Sequence, residues 1–473
     1  MLPGRTETLP PALATRLRQA VGDRLMTGTS VLDQHARGEG WDRPVRPAAV
    51  CYPHTDSEIA AILSACNEHR VPVVPFGAGS SLEGHVVPLY GGVSLDLRQM
   101  DAVLEVNDQD LDCRVQAGVT RKQLQEHLRF RGLFFPVDPG ADATLGGMVA
   151  TGASGTTTVR YGAMRENVLG LSVVLADGTI IHTGSRARKS AAGYDLTRLF
   201  IGSEGTLGVI TEVQLRLHGI PESISAAVCQ FDNLDAAVDT VIESIQLGIP
   251  VARCELLDQV QMGACIRHSG LTEYRATPTL FFEFHGSEAA VQEHARQVGE
   301  ICHTHGGSEF EWATRTEDRS RLWKARHDAF FAALALAPGK RGLTTDACVP
   351  LSRLAECIRD TQRDLTESGL LAPIVGHLGD GNFHAVILCD PDDPDEVGRA
   401  KAVNARLAKR ALSMGGTCTG EHGVGSGKID FIAAEHGAGI EVMRAIKQAL
   451  DPRGIMNPGK VFRVGLTGGN AVR

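Results

Sequence analysis

His377 and His384 stand seven residues apart, on either side of Gly379, Asp380, Gly381 and Asn382. Apolar Pro373–Val375 precedes the bend and Ala385–Leu388 follows it, so two short strands joined as a hairpin are expected. Side chains near the mouth of one hairpin lie close together, and the two imidazoles would converge on one point. Spacing alone equally allows two ordinary strand-end side chains. Two imidazoles suit a borderline divalent metal, but a site needs a third ligand. The stretch Thr417–Lys428, "TCTGEHGVGSGK", offers one. Glu421 and His422 are neighbours there on a glycine-flanked loop, where they can project to different targets. By itself a Glu-His pair is usually solvated. Beside the hairpin, Glu421 completes a set of two histidines and a carboxylate. Three protein ligands leave positions open for water or substrate, as a catalytic metal requires. Cys418 reads as a buried thiol, not a fourth ligand.

A second constellation is built of glycine. "VPFGAGSSLEG" places Gly77 and Gly79 after a strand-like run, but Leu82 stands where a dinucleotide fingerprint needs its third glycine. What remains is a bend whose free backbone N–H groups, with Ser80 and Ser81, can bind phosphate oxygens or merely turn the chain. Further on, Gly140, Gly146, Gly147, Gly152, Gly155 and Gly162 crowd one segment. Glycine at this density implies backbone pressed closely against something, and a large planar cofactor with a pyrophosphate fits better than a mobile lid. "GSEGTLGVIT" from Gly202 to Thr211 supplies another loop entering a strand.

The elements that must hold these residues fall into zones. The 473 residues are too many for one ordinary domain. Residues 1–44 read as an N-terminal helical segment, with Leu13, Leu17, Val21 and Leu25 at helical spacing. Residues 45–220, with runs such as "VPVVPF", "GVSLDL" and "LSVVLADGTIIHT", form a glycine-rich unit. Residues 221–410 alternate longer helices with strands such as "TLFFEFHG", and residues 411–473 form a C-terminal segment returning to the site. The fold class expected is α+β. A net charge of -9 with no long basic block argues against nucleic acid as a partner. The 11 cysteines include no C-x-x-C pair, which removes support for thiolate clusters and a disulfide framework. The N-terminus lacks an apolar h-region, and no run of about 18 apolar residues occurs. A cytoplasmic protein is expected, at most peripheral to the inner membrane.

Gly77-Ala78-Gly79-Ser80-Ser81, the stretch from Pro136 to Gly155, Tyr161-Gly162-x-x-Arg165 and Gly202-Ser203-Glu204-Gly205-Thr206 resemble the flavoproteins of the vanillyl-alcohol oxidase and p-cresol methylhydroxylase type. Within them the sequence is similar to the branch of D-lactate dehydrogenases and glycolate oxidase flavin subunits, from about residue 45 to Phe462. The resemblance implies a two-subdomain FAD-binding fold with an α+β cap and FAD bound non-covalently. It places the cofactor against Pro75, Gly77, Ala78, Gly79, Ser80 and Ser81, and against Pro139, Gly140, Thr144, Gly146, Gly147, Gly152, Ser154 and Gly155. It adds Tyr161, Gly162, Arg165, Val168, Glu204, Gly205, Ile210 and Asn457, with Lys460 near the flavin.

The resemblance also makes His377, His384 and Glu421 ligands of one zinc or manganese ion and His422 the catalytic base. The expected activity is oxidation of a D-2-hydroxy acid, D-lactate foremost. A divalent cation on the hydroxyl eases loss of its proton, and a histidine with pKa near about 6.5 can accept it. Arg326 in "WKAR" matches the substrate-carboxylate arginine, because a guanidinium holds a carboxylate bidentately. Asn382 is a further substrate contact or a turn former. Thr344 and Thr345 stand where the hydroxyglutarate branch carries a lysine, which favours a monoacid, though Lys340 or Arg341 could still reach in. Thr345 is taken as a substrate contact. Glycolate, D-2-hydroxyglutarate and a non-catalytic FAD-binding subunit remain alternatives. The electron acceptor is a cytochrome, a quinone or an electron-transferring flavoprotein, and a homodimer is left open.

Overall fold

The computed structural model describes residues 5–463. It divides into two compact units. The first comprises the chain up to Ser154, Ala163–Gly219 and the chain from Glu421; the second comprises Gly155–Gly162 and Ile220–Gly420.

In the first unit, β-branched runs form two sheets. Ala49–Cys51, Val93–Asp96 and Val73–Phe76 pair in parallel in that order, with Leu25–Met26 antiparallel at one edge. The helix Asp56–His69 makes the crossover that parallel pairing requires. Thr55 caps it by accepting from the Glu58 amide, and Ile59, Ile62, Leu63 and Cys66 face the core. The helix Pro11–Val21 buries Leu13, Leu17 and Val21 in the same core, as their spacing predicts, but it ends at Gly22 and Leu25 lies in a strand instead. The second sheet is a five-stranded antiparallel array in the order Val103–Asn107, Asp112–Gln116, Val209–Arg216, Val168–Val174 and Ile180–Gly184.

The second unit is built on an eight-stranded sheet whose pairs are antiparallel. Its middle strands run Ser223–Gln230, Thr279–Gly286, Val251–Leu257, Ile374–His377, Asn382–Cys389. Long amphipathic helices, Leu234–Gln246, Glu288–Thr304 and Leu351–Glu367, bury one apolar stripe each. The apolar spacing of Arg321–Leu334 reads as one helix, but the segment forms two, Thr316–His327 and Ala329–Ala335. Asp328 sits at the junction, its carboxylate accepting from Lys324 and Ser269.

Register decides which side chains share a face. Arg253 lies opposite Glu283, Glu255 opposite His377, and His377 opposite Asn382. His384 follows Asn382 by two residues, so all of these project from one face of the sheet.

Candidate active site

The hairpin forms as the sequence suggests, with the turn carried by Leu378–Asp380 in a single 3-10 turn and by Gly381 in the left-handed region. A Cβ at Gly381 would stand 2.2 Å from the Val349 carbonyl oxygen, so the bend has no room for a side chain. The rings of His377 and His384 are 5.5 Å apart between centroids and nearly perpendicular. Each is oriented through Nδ1. That of His377 lies 2.7 Å from Glu255 Oε1, and that of His384 lies 2.9 Å from the Thr345 carbonyl. Both partners are acceptors, so Nδ1 is the donor in each ring, and in the neutral imidazole the lone pair is then on Nε2. A metal-binding histidine is held in this way, with its other nitrogen donated to a carboxylate or carbonyl.

Chain continuity supplies the carboxylate. Gly420 packs against the hairpin so tightly that a Cβ there would stand 2.2 Å from Asn382 Nδ2. Glu421 is bonded to it, and one ligand atom from each of His377, His384 and Glu421 lies within 4.8 Å of the others. These three residues fit a divalent metal in number and in chemistry. Ser154 Oγ, assigned to the cofactor by resemblance, donates to Glu421 Oε2 at 2.8 Å. His422 Nε2 is 3.7 Å from Glu421 Oε1.

The loop that carries His422 is fastened behind it. Glu204 is buried, adopts a left-handed φ of 54°, and accepts from the amides of Val424 at 2.6 Å and Gly425 at 2.8 Å. Burial would raise its carboxyl, but His85 and these amides outweigh that and hold it below the usual range. A Cβ at Gly423 would strike both His85 and Glu204. Glu204, assigned to the cofactor on its motif, thus positions the His422 loop.

Arg326 donates through Nε to Glu255 Oε2 at 2.7 Å. Asn382 Nδ2 donates to Asp346 and to the Ala347 carbonyl, while its buried Oδ1 accepts no hydrogen bond among the described residues. Thr345 is fully buried, with its hydroxyl accepting from the Ala385 amide, and it orients His384 through its carbonyl. Lys340 is ion-paired with Glu396.

In the first unit the glycine motifs meet. A Cβ at Gly77 would come 2.3 Å from Thr144 Oγ1, and one at Gly205 would come 2.9 Å from Pro75. The bend after Val73–Phe76, the start of the helix Leu145–Thr151 and the Glu204 loop are therefore in mutual contact. Gly146 is pressed on Ala117, Gly152 closes the helix in the left-handed region, and Gly79 turns the bend with φ 74°. Gly147 donates to the Thr144 cap. Nothing lies within 4 Å of a Cβ at Gly140. Ala78 is exposed, Pro75, Ser80 and Pro139 are half-buried, and Val168 and Ile210 are buried in adjacent strands. Ser81 Oγ, Ser203 Oγ and Asn457 Oδ1 are buried without hydrogen-bond partners among the described residues. Buried polar atoms beside a glycine cradle suit a polar, anionic cofactor such as FAD. Asn457 Nδ2 donates to the carbonyls of His85 and Glu204, and Lys460 Nζ donates to that of Val87. Arg165 is exposed. Gly155, Tyr161 and Gly162 belong to the second unit, where the Tyr161 hydroxyl is 2.7 Å from His285 Nδ1.

Sequence reasoning missed Glu255, Ser203 and His85. Ser203 lies inside one of the glycine motifs, which was signal enough to find it. Nothing local marks the other two, because their partners are far away in sequence.

Residues 47–184 match the model of an FAD binding domain, and residues 220–461 match that of the FAD linked oxidases, C-terminal domain. A probable mitochondrial D-lactate dehydrogenase of Danio rerio is 52% identical over 96% of this chain and 92% of its own. A mitochondrial D-lactate dehydrogenase [cytochrome] of Arabidopsis thaliana is 45% identical over 97% of this chain and 81% of its own. The structure of p-cresol methylhydroxylase superposes with a TM-score of 0.77 at 17% identity, covering 97% of this chain and 98% of that one, which shows a shared fold. The relatives' names overturn the cytoplasmic location expected above, since both are mitochondrial proteins. An apolar h-region marks secretion, whereas mitochondrial transit peptides are amphipathic and Arg-rich, so its absence says nothing about that route. With an FAD binding domain and an oxidase domain matched in order, and a relative half-identical along almost all of it, the chain belongs to the FAD-linked oxidases.

Proposed function

We propose that the chain oxidises D-lactate to pyruvate, with a divalent metal held by His377, His384 and Glu421 and with FAD held non-covalently. Bound FAD supplies a two-electron acceptor, and zinc or manganese at the histidine pair supplies a Lewis acid for the substrate hydroxyl. The residues do the rest. Arg326 takes the substrate carboxylate, which orients the acid and fixes the face of its second carbon. His422 accepts the hydroxyl proton at one of its ring nitrogens. Glu204 keeps the His422 loop in place through the Val424 and Gly425 amides. Asn382 braces the hairpin against Asp346. The electrons pass on to a cytochrome, after the acceptor in the Arabidopsis relative's name.

The observation that carries this reading is the orientation of the two imidazoles, each donating through Nδ1 and so carrying its lone pair on Nε2. D-Lactate is favoured over a dicarboxylate because Lys340, the lysine nearest Thr344 and Thr345 in sequence, is paired with Glu396. The test is dye-linked turnover of purified protein on D-lactate, L-lactate, glycolate and D-2-hydroxyglutarate, with metal content measured on the same sample. Preference for D-lactate with one metal per chain is expected. Equal turnover of the dicarboxylate, or a metal-free active enzyme, would contradict the assignment. Acid precipitation should release yellow flavin into the supernatant.

A further inference from the structure

We infer that Glu255 is a positioning residue that locks the metal ligand His377 and the carboxylate anchor Arg326 at a fixed separation. The inference rests on the reading of those two residues given above. Glu255 lies on the strand Val251–Leu257, fully buried, and pairs in register with His377 on the neighbouring strand. Its two oxygens are divided between the two partners: Oε1 is 2.7 Å from His377 Nδ1, and Oε2 is 2.7 Å from Arg326 Nε. Nδ1 of His377 and Nε of Arg326 are both donors here, so each oxygen of Glu255 accepts one hydrogen bond. A buried ion pair adds little to stability against an apolar replacement, so folding alone gives no reason for this division.

The chemistry of a 2-hydroxy acid does give one. Its hydroxyl sits on the carbon next to the carboxylate, so the groups that hold the two must keep a single short separation. A carboxylate is planar and rigid, and with one oxygen on each anchor it acts as a spacer between them. It also has an effect on each anchor separately. An anion accepting from Nδ1 raises the basicity of Nε2, where a metal would bind. A bond to Nε of Arg326 leaves the Nη1–Nη2 edge to grip a carboxylate bidentately. A glutamine here would keep an acceptor for His377 but would turn an N–H donor towards Arg326 Nε.

The test uses full-length holoenzyme. Zinc and manganese retention against graded chelator, KM for D-lactate, and FAD content are measured for the parent, Glu255→Gln and Glu255→Asp. Glu255→Gln should hold metal about 10–100-fold more weakly, the range typical for loss of such an outer partner, while KM rises about tenfold or more and FAD content stays at the parent value. Glu255→Asp keeps the charge but is one methylene shorter and cannot reach both partners, so both quantities should move in the same direction by less. A merely structural glutamate would change FAD content and thermal stability without this joint shift. Parent-like metal retention or parent-like KM in Glu255→Gln would overturn the inference. If that variant does not fold, parent-like values of both quantities in Glu255→Asp would overturn it. A parent that holds no divalent metal would instead sink the underlying metal assignment.

Discussion

Gly77, Gly146 and Gly205 in the first unit each face an atom that an added methyl group would strike. Glu255, His377 and His384 in the second unit are instead aligned by strand register, with His377 bonded to the Glu255 carboxylate and His384 to the Thr345 carbonyl. The first unit is specialised in its backbone: close approaches, left-handed turns and buried hydroxyls that suit a phosphate-bearing cofactor. The second is specialised in one face of a sheet, where the buried carboxylate of Glu255 accepts from His377 and Arg326. The two kinds of site should fail differently. Backbone changes should release FAD and leave the metal, and sheet-face changes should do the reverse. The loop from Glu421 to Gly425 depends on both kinds of construction, with a chemical side chain at its start and a buried carboxylate clamp behind it.

The largest effect should come from His422→Asn. It should keep FAD and metal yet slow anaerobic flavin reduction by D-lactate about 10²–10⁴-fold, the usual range for loss of a general base. Dye reoxidation should be unchanged. Loss of metal in that variant would make His422 a ligand and not the base.

Glu204→Gln should act through the loop. Two charge-assisted bonds are weakened in a buried setting, and a loss of about 1.5–3 kcal/mol in unfolding stability is expected, with lower turnover. Denaturant unfolding and steady-state assays check this. A fully stable variant that releases FAD would return Glu204 to the cofactor.

Gly77→Ala sharpens the contrast further. Its methyl would displace Thr144 Oγ1, which caps the helix at Gly147, at a cost of about 0.5–2 kcal/mol. FAD should dissociate more readily while metal content stays at the parent level. Gly219→Ala, in the same unit with nothing within 4 Å of the added methyl, is the matched control and should leave FAD in place.

Asp258 lies outside both sites and offers a pH signature in stability alone. It is buried at the base of the hairpin, where it accepts from the amides of Gln261 and Ile374, and burial pushes its carboxyl up to about 6. A carboxyl with a raised folded pKa favours the protonated fold. Its contribution is therefore fully present below the ordinary value of 3.8 and is lost as pH rises through about 6. Asn mimics the protonated form, so Asp258→Asn should gain stability relative to the parent between about pH 4 and 6 and hold a constant difference above that range. A flat difference across that window would show the carboxyl to be ionised throughout.

Legibility in the amino-acid sequence follows the same division. Glycine motifs are local, so the crowding from Gly140 to Gly162 points to a cofactor by its density, while Gly77, Gly79 and Gly205 are tied to it by the resemblance. The hairpin is legible too, because its strands and turn are contiguous. The break at Asp328 is not, since the apolar pattern runs through it and the carboxylate's partner Ser269 is remote. Glu255 is hidden for the same reason: 122 residues separate it from His377, and only sheet register brings them together. Glu204 stands out for its motif, but its carboxylate reaches the amides of Val424 and Gly425, 220 and 221 residues further on.

Oxidation of the hydroxy acid should need the metal that His377, His384 and Glu421 are proposed to hold. Anaerobic flavin reduction by D-lactate, followed by absorbance before and after chelator treatment, tests this directly. Chelated enzyme should keep its FAD spectrum, fail to be reduced, and recover when zinc or manganese is restored. Metal-free protein that bleaches its flavin at the parent rate would contradict it.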